Sequence, residues 1–210
     1  MDEVLLESQS LSITVGEKTI LKEVSIRFFR TGLCIFEGDN GAGKSTLLKE
    51  IYHKAKYSQL WHWPLGVKTI TYLGHELGLY TSLSLEENLE YFLGLEGGVQ
   101  LVQKQIPKQK FLLESFHLDK RRFDPVYMFS RGMKQKVALM RCLLSKSEIL
   151  LFDEPFTGLD QKSVDALVRQ LNEESKTRLV IIVLHGIPKT LEWTSKIMIQ
   201  NGSCYVESFT

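Results

Sequence analysis

The sequence predicts an α/β fold: a mostly parallel sheet flanked by helices, with an N-terminal antiparallel β subdomain and an inserted α-helical subdomain. Three observations carry this. The unbroken apolar runs Leu33-Cys34-Ile35-Phe36, Ile149-Leu150-Leu151-Phe152 and Leu179-Val180-Ile181-Ile182-Val183-Leu184 read as strands buried on both faces, as in parallel sheets. Leu11-Ser12-Ile13-Thr14-Val15 and Val24-Ser25-Ile26-Arg27-Phe28 instead alternate apolar with polar, with Gly16-Glu17-Lys18 as the turn between them, so they read as half-buried antiparallel strands. The stretch from Glu76 to Lys146 carries helical periodicity. Residues 1–210 read as one domain, with residues 76–146 as its helical insertion, because no linker separates two independent parts.

In chain order, the first chemistry-bearing element follows the strand at 33–36. Gly38-Asp39-Asn40-Gly41-Ala42-Gly43-Lys44-Ser45-Thr46 fits GxxxxGK[ST], and the apolar helix Leu47-Leu48-Lys49-Glu50-Ile51 continues it. A triphosphate is dense in negative charge and acceptor oxygens. Glycines at 38, 41 and 43 let successive N–H groups turn inward as a nest, and the helix N-terminus adds a favourable dipole. Lys44 supplies a point charge to the outer phosphates, and Ser45, backed by Thr46, offers a hydroxyl to Mg²⁺. The expected ligands are therefore ATP and Mg²⁺, in a P-loop NTPase core.

Ser84-Leu85-Glu86-Glu87 is a capping-box pattern that starts a helix with Leu85, Leu89 and Phe92 on one face, and Gly97-Gly98 is expected to end it. A second short helix is expected over residues 108–116. A third follows Ser130, with Met133, Val137, Met140 and Leu144 on one stripe. The strand at 149–152 ends in Asp153-Glu154, and Pro155 stops it. Beside a phosphate loop, Asp153 holds Mg²⁺ through water and Glu154 polarises the attacking water.

Composition narrows the class. Of 210 residues, 43% are hydrophobic and 24% charged, an ordinary globular balance. Lys plus Arg number 26 against 25 Asp plus Glu, so the basic excess of a nucleic-acid binder is missing and no nucleic-acid partner is expected. The three cysteines, Cys34, Cys142 and Cys204, form no CxxC pair and read as small apolar fillers in a reducing compartment. The start, Met1-Asp2-Glu3-Val4-Leu5, is acidic, with no basic segment before an apolar run, and no apolar stretch approaches a membrane span. The expected location is the cytoplasmic face of the cell membrane, held there by a partner. Trp61-His62-Trp63-Pro64 reads as an edge-strand cluster, with an exposed contact as the other reading.

Two further segments carry a resemblance. Phe129-Ser130-Arg131-Gly132-Met133-Lys134-Gln135-Lys136-Val137 looks like the signature sequence of ABC-type ATPases, commonly LSGGQ. Residues 151–160, Leu-Phe-Asp-Glu-Pro-Phe-Thr-Gly-Leu-Asp, are similar to that family's Walker B segment and D-loop, and His185 matches its switch histidine. The resemblance spans nearly the whole chain in the family's order. It implies that two such domains close head to tail over two ATP molecules, each held by one subunit's phosphate loop and by Ser130 and Gly132 of the other. It also implies that His185 contacts the γ-phosphate and that Asp160 communicates between the sites. Four positions depart from the pattern: Val15 replaces an adenine-stacking aromatic, Glu76 replaces the metal-approaching Q-loop glutamine, and Arg131 and Met133 replace a glycine and a glutamine. Relaxed base selectivity and slow hydrolysis are the expected results.

Residues 73–89, from Leu73-Gly74-His75-Glu76 through Glu87-Asn88-Leu89, further resemble the ATPase subunit of the cytochrome c maturation system, of haem-exporter type. That resemblance implies a role in haem export or haem-chaperone release, with integral membrane subunits docking on the apolar region between Glu76 and Leu95. His62 and His117 form no haem-ligand pattern. Two other readings stay open: a soluble ABC-type ATPase without a membrane partner, and a nucleotide-gated module that barely turns over.

Overall fold

The computed structural model describes residues 3–55 and 57–208; Met1 and Asp2 of the acidic start lie outside them. The chain divides into two compact units: residues 1–72, 147–154 and 171–210 form the first, and residues 73–146 and 155–170 the second.

The first unit holds two sheets. β1 (Val4–Val15) and β2 (Lys18–Phe29) pair antiparallel through the turn at Gly16 and Glu17. Both strands start earlier or run longer than the alternating pattern indicated, because Leu5, Leu6 and Leu21 bury side chains outside it. β4 (Trp61–His62) adds to β1 as an edge strand, which answers the expectation for the tryptophan cluster. Trp61 is buried and stacks on Phe28, with ring centroids 6.5 Å apart, and Trp63 Nε1 donates to the Ala55 carbonyl. The second sheet has the order β5-β6-β7-β3-β8-β9. Its members are β3 (Gly32–Glu37), β5 (Ile70–Leu73), β6 (Ile149–Asp153), β7 (Leu179–Val183), β8 (Ser195–Gln200) and β9 (Ser203–Ser208). β3 runs parallel to β7 and to β8, and β6 parallel to β7, while β8 and β9 form an antiparallel hairpin. The three apolar runs are thus the sheet's central strands, and β6 and β7 are buried along their whole lengths. α1 (Lys44–Lys54) buries Leu47, Leu48 and Ile51 in the same core as Phe36, Leu151 and Val183. Cys34 lies in that core, where burial pushes its thiol up to about 12, consistent with a filler.

The second unit is mainly helical. α2 (Leu85–Ser115) begins at Ser84 with both hydrogen bonds of the capping box: Ser84 Oγ accepts from Glu87 N, and Glu87 accepts from Ser84 N. Gly97 and Gly98 leave helical geometry as expected, but the chain resumes a helix at once and carries it through Pro107 to Ser115. The expected short helix at 108–116 is therefore the end of a longer limb: a proline costs one backbone hydrogen bond, and flanking turns sustain the helix. α3 (Arg131–Leu144) is capped by Ser130 and buries Val137, Met140 and Leu144, with Met133 half-buried. α4 (Gln161–Ser175), absent from the sequence expectations, begins in this unit.

Asn88 organises the loop before α2. Its side chain is fully buried; Oδ1 accepts from Tyr80 N, and Nδ2 donates to the carbonyls of Tyr80, Leu83 and Ser84. Alanine leaves these groups without partners. Asn88→Ala is expected to lower unfolding free energy by about 2–4 kcal/mol in a urea titration, since each orphaned buried group costs about 1–3 kcal/mol. A loss under about 0.5 kcal/mol contradicts that role.

Candidate functional site

The bend between β3 and α1 is open to solvent on one side. A cleft of about 380 Å³ lies between Asp39 to Ala42 of the bend, Lys18 and Thr19 at the start of β2, and the β8–β9 turn at Asn201 and Gly202. Gly38 has φ 146°, and a Cβ there would stand 2.2 Å from the Ile199 carbonyl oxygen, so no other residue fits. Gly43 takes the N-cap of α1 with no side chain to cap it, and no acid occupies the helix's first turn. The helix therefore presents its first N–H groups and its positive end to the bend. Lys44 is buried, and its ammonium folds back to donate to the carbonyls of Gly38 and Asp39 at 2.7 and 2.9 Å. A phosphate is the better acceptor for that charge. Asp39, Asn40 and Gly41 are exposed on the loop, and Ala42, Ser45 and Thr46 are half-buried.

The parallel sheet places the end of β6 near this bend. Ser45 Oγ donates to Asp153 Oδ1 at 2.9 Å. Among the described residues the other carboxylate oxygen, Oδ2, is buried with no hydrogen-bond partner, as is the Tyr72 hydroxyl. Burial, and then the neighbouring Asp153 charge, push the Tyr72 phenol up to about 12. A buried, half-satisfied carboxylate is costly unless something cationic completes it. Tyr72 was missed from sequence, since an isolated tyrosine on a strand carries no local pattern linking it to Asp153.

Glu154 follows β6 directly and sits at φ 53°, a left-handed backbone that costs a non-glycine residue about 1 kcal/mol. Its N–H donates to the Val183 carbonyl, and Oε1 lies 2.8 Å from His185 Nε2. His185 is held just past β7. Four of the residues expected to carry chemistry, Ser45, Asp153, Glu154 and His185, thus meet in two hydrogen-bonded pairs within the first unit. Val15, in the place expected for an aromatic, ends β1 with 56% of its surface exposed.

Ser130, Gly132 and Glu76 belong to the second unit. Ser130 is exposed, and its Oγ accepts from Met133 N, which makes it the N-cap of α3. No acid lies in the first turn of α3, so that end too is electropositive. Glu76 is exposed in the segment between β5 and α2. Asp160 caps α4, its Oδ1 accepting from Ser163 N, and its carboxylate also meets Lys136.

The ABC transporter family model matches residues 21–157. The ABC-type transporter ATP-binding protein EcsA of Bacillus subtilis (strain 168) is 32% identical, over 94% of this chain and 84% of its own. The cytochrome c biogenesis ATP-binding export protein CcmA of Chelativorans sp. (strain BNC1) is 29% identical, over 94% of this chain and 99% of its own. A solved structure of the ATP-binding subunit of an ABC transporter superposes with a TM-score of 0.78 at 28% identity, covering 98% of this chain and 90% of that one. With the family model matching more than half of it, the chain belongs to the ABC transporter family as an ATP-binding subunit, an ATPase whose hydrolysis is coupled to transport.

Proposed function

We propose that this subunit binds ATP with Mg²⁺ in the bend at residues 38–46, closes head to tail on a second copy, and drives a membrane complex of the cytochrome c maturation type. The observation that carries the nucleotide half is the Ser45–Asp153 pair with its unpartnered buried oxygen. One hydroxyl and one carboxylate oxygen match what Mg²⁺ takes from protein when phosphates and water supply the rest. Among the described residues no cluster of three or more His, Cys, Asp or Glu competes as a metal site. Ser45 and Asp153 would hold Mg²⁺, which would supply charge neutralisation at the phosphate oxygens.

The chain's own residues supply the remaining chemistry. Lys44 leaves the carbonyls of Gly38 and Asp39 for the outer phosphates. Glu154 accepts a proton from the attacking water as the water's oxygen bonds to γ-phosphorus and the bond to the β,γ-bridging oxygen breaks, giving ADP and inorganic phosphate. His185 holds the Glu154 carboxylate in place and donates to the γ-phosphate. Ser130 and Gly132, at the electropositive start of α3, cover the nucleotide of the second copy. With Val15 in place of an aromatic, the base is gripped weakly, so GTP is expected to compete with ATP. Glu76 stands as the metal-side group of the segment before α2, and residues 76–146 as the inserted helical subdomain.

For the cytochrome c maturation role, support comes from the resemblance of residues 73–89 and from CcmA, matched over nearly its whole length. The membrane subunit is placed on the region between Glu76 and Leu95. Leu85 is core, but Tyr80 and Tyr91 are exposed and touch edge to face, and Arg141 stacks on the neighbouring Phe92. Asn88 braces the loop that carries Tyr80. Among the described residues no helix is long and apolar enough to cross a membrane, so attachment at the cytoplasmic face rests on this surface. Tyr80→Glu is expected to keep nucleotide affinity within about twofold while the subunit no longer co-purifies with detergent-solubilised membranes, because a charge in an apolar contact costs several kcal/mol. Unchanged co-purification overturns the docking surface. Replacing Glu154 by Gln in the source cells should abolish haem-stained c-type cytochromes; normal levels overturn the haem-handling role and leave the ATPase.

A further inference from the structure

One face of α3 is fastened to the loop that follows Glu154. Gly132, Gln135 and Lys136 fall at i, i+3 and i+4, so they share that face. At Gly132 the Gly158 carbonyl approaches so closely that a Cβ would lie 2.6 Å from its oxygen. Gln135 Nε2 donates to the Pro155 carbonyl at 3.3 Å. Lys136, buried to about nine-tenths, places its ammonium 2.7 Å from Asp160 Oδ2. Asp160 has little freedom left: Ser163 N and Ser163 Oγ donate to the same carboxylate as it caps α4. The Lys136 hydrogen bond, joined by the Ser163 N–H, holds the Asp160 carboxyl well below the usual carboxylate range. Every one of these contacts lies inside the second unit.

This pairing has a consequence because of what the loop adjoins. Pro155 is bonded directly to Glu154, whose left-handed backbone marks the change of direction out of β6. Lys136 bonds to Asp160 and so ties the helix beginning at Ser130 to the loop leading out of Glu154.

We propose that Lys136 is a positioning residue: through Asp160 it makes α3 and residues 155–160 one body, so that seating α3 on a second copy's nucleotide fixes Glu154 of its own chain for attack. This rests on the head-to-tail reading above. It also gives Asp160 a task within its own chain: its carboxylate holds the loop whose position couples the two sites.

The test compares wild type with Lys136→Met, Lys136→Arg and Asp160→Asn. The last keeps an N-cap acceptor but removes the ion pair, and so stands in if Lys136→Met fails to fold. Two quantities are read: ATP-dependent dimerisation in a Glu154→Gln background by light scattering, and turnover with Glu154 intact. The expected result for Lys136→Met and Asp160→Asn is a dimerisation midpoint within about twofold of wild type and kcat lowered about 10- to 100-fold, the scale of a small misplacement. Lys136→Arg should restore most of kcat. Equal loss of dimerisation and turnover marks a merely structural role and overturns the proposal, as does an unchanged kcat. If the Glu154→Gln protein with Lys136 intact never dimerises, the head-to-tail reading itself falls and this proposal with it.

Discussion

Lys44→Ala will lower kcat/KM for ATP about 10²- to 10³-fold. A charged donor preorganised at the phosphates contributes about 3–4 kcal/mol to the transition state, and alanine contributes none of it. The fold should survive. Among the described residues the ammonium's partners are the carbonyls of Gly38 and Asp39, and Asp39 is exposed beside the cleft, where water can replace the lost donor. The measurement is phosphate release at several ATP concentrations, with a thermal melt as the folding control. A variant that melts like wild type and retains turnover within about threefold contradicts the placement of the triphosphate, because so small a change is under 1 kcal/mol.

Glu154→Gln will separate binding from chemistry. Glutamine preserves size and can still pair with His185, but it cannot take the water's proton. General-base catalysis is worth about 10²- to 10⁴-fold, so kcat falls by that factor while ATP affinity stays within about twofold. The left-handed backbone at this position is unaffected, because the two residues are alike in branching at Cβ. Single-turnover hydrolysis of radiolabelled ATP reads the first quantity and equilibrium dialysis the second. If kcat and affinity fell together, Glu154 would be holding the nucleotide rather than activating water, and the role given to it would pass to another group.

How much of this could be read from residues alone varies with the range of the interaction. The bend at Gly38 to Thr46 was legible because one short segment contains the whole device: the glycines, the lysine and the helix start. The caps at Ser84 and Ser130 were legible for the same reason, since each donor and acceptor lie three residues apart. The central strands read correctly because burial on both faces leaves an unbroken apolar run. β8 and β9 were passed over because their apolar residues are interleaved with Ser, Lys, Gln and Glu, and only the hairpin pairing with β3 makes them part of the sheet. Gly97-Gly98 misled in one respect. Two glycines do break helical geometry, but nothing local says that the next residue restarts it, and packing of Leu112 and Leu113 into the core keeps the second limb in place. The contacts that matter most to mechanism were the least legible. Ser45 with Asp153, Tyr72 beside Asp153, Glu154 with His185, and Lys136 with Asp160 all join residues distant in the chain, and no spacing rule reports them. Asn88 is an intermediate case: its place just after a capping box could be read, whereas its four hydrogen bonds to the preceding loop could not.

In the proposed function a nucleotide in the bend after β3 is enclosed by a second copy of the chain. The most direct measurement is the solution mass of Glu154→Gln by multi-angle light scattering, with Mg²⁺ and either ATP or ADP. ATP should double the monomer mass of 24.1 kDa, ADP should leave it unchanged, and adding Lys44→Ala should abolish the doubling. A monomer under saturating ATP, with binding confirmed by dialysis in the same sample, contradicts it.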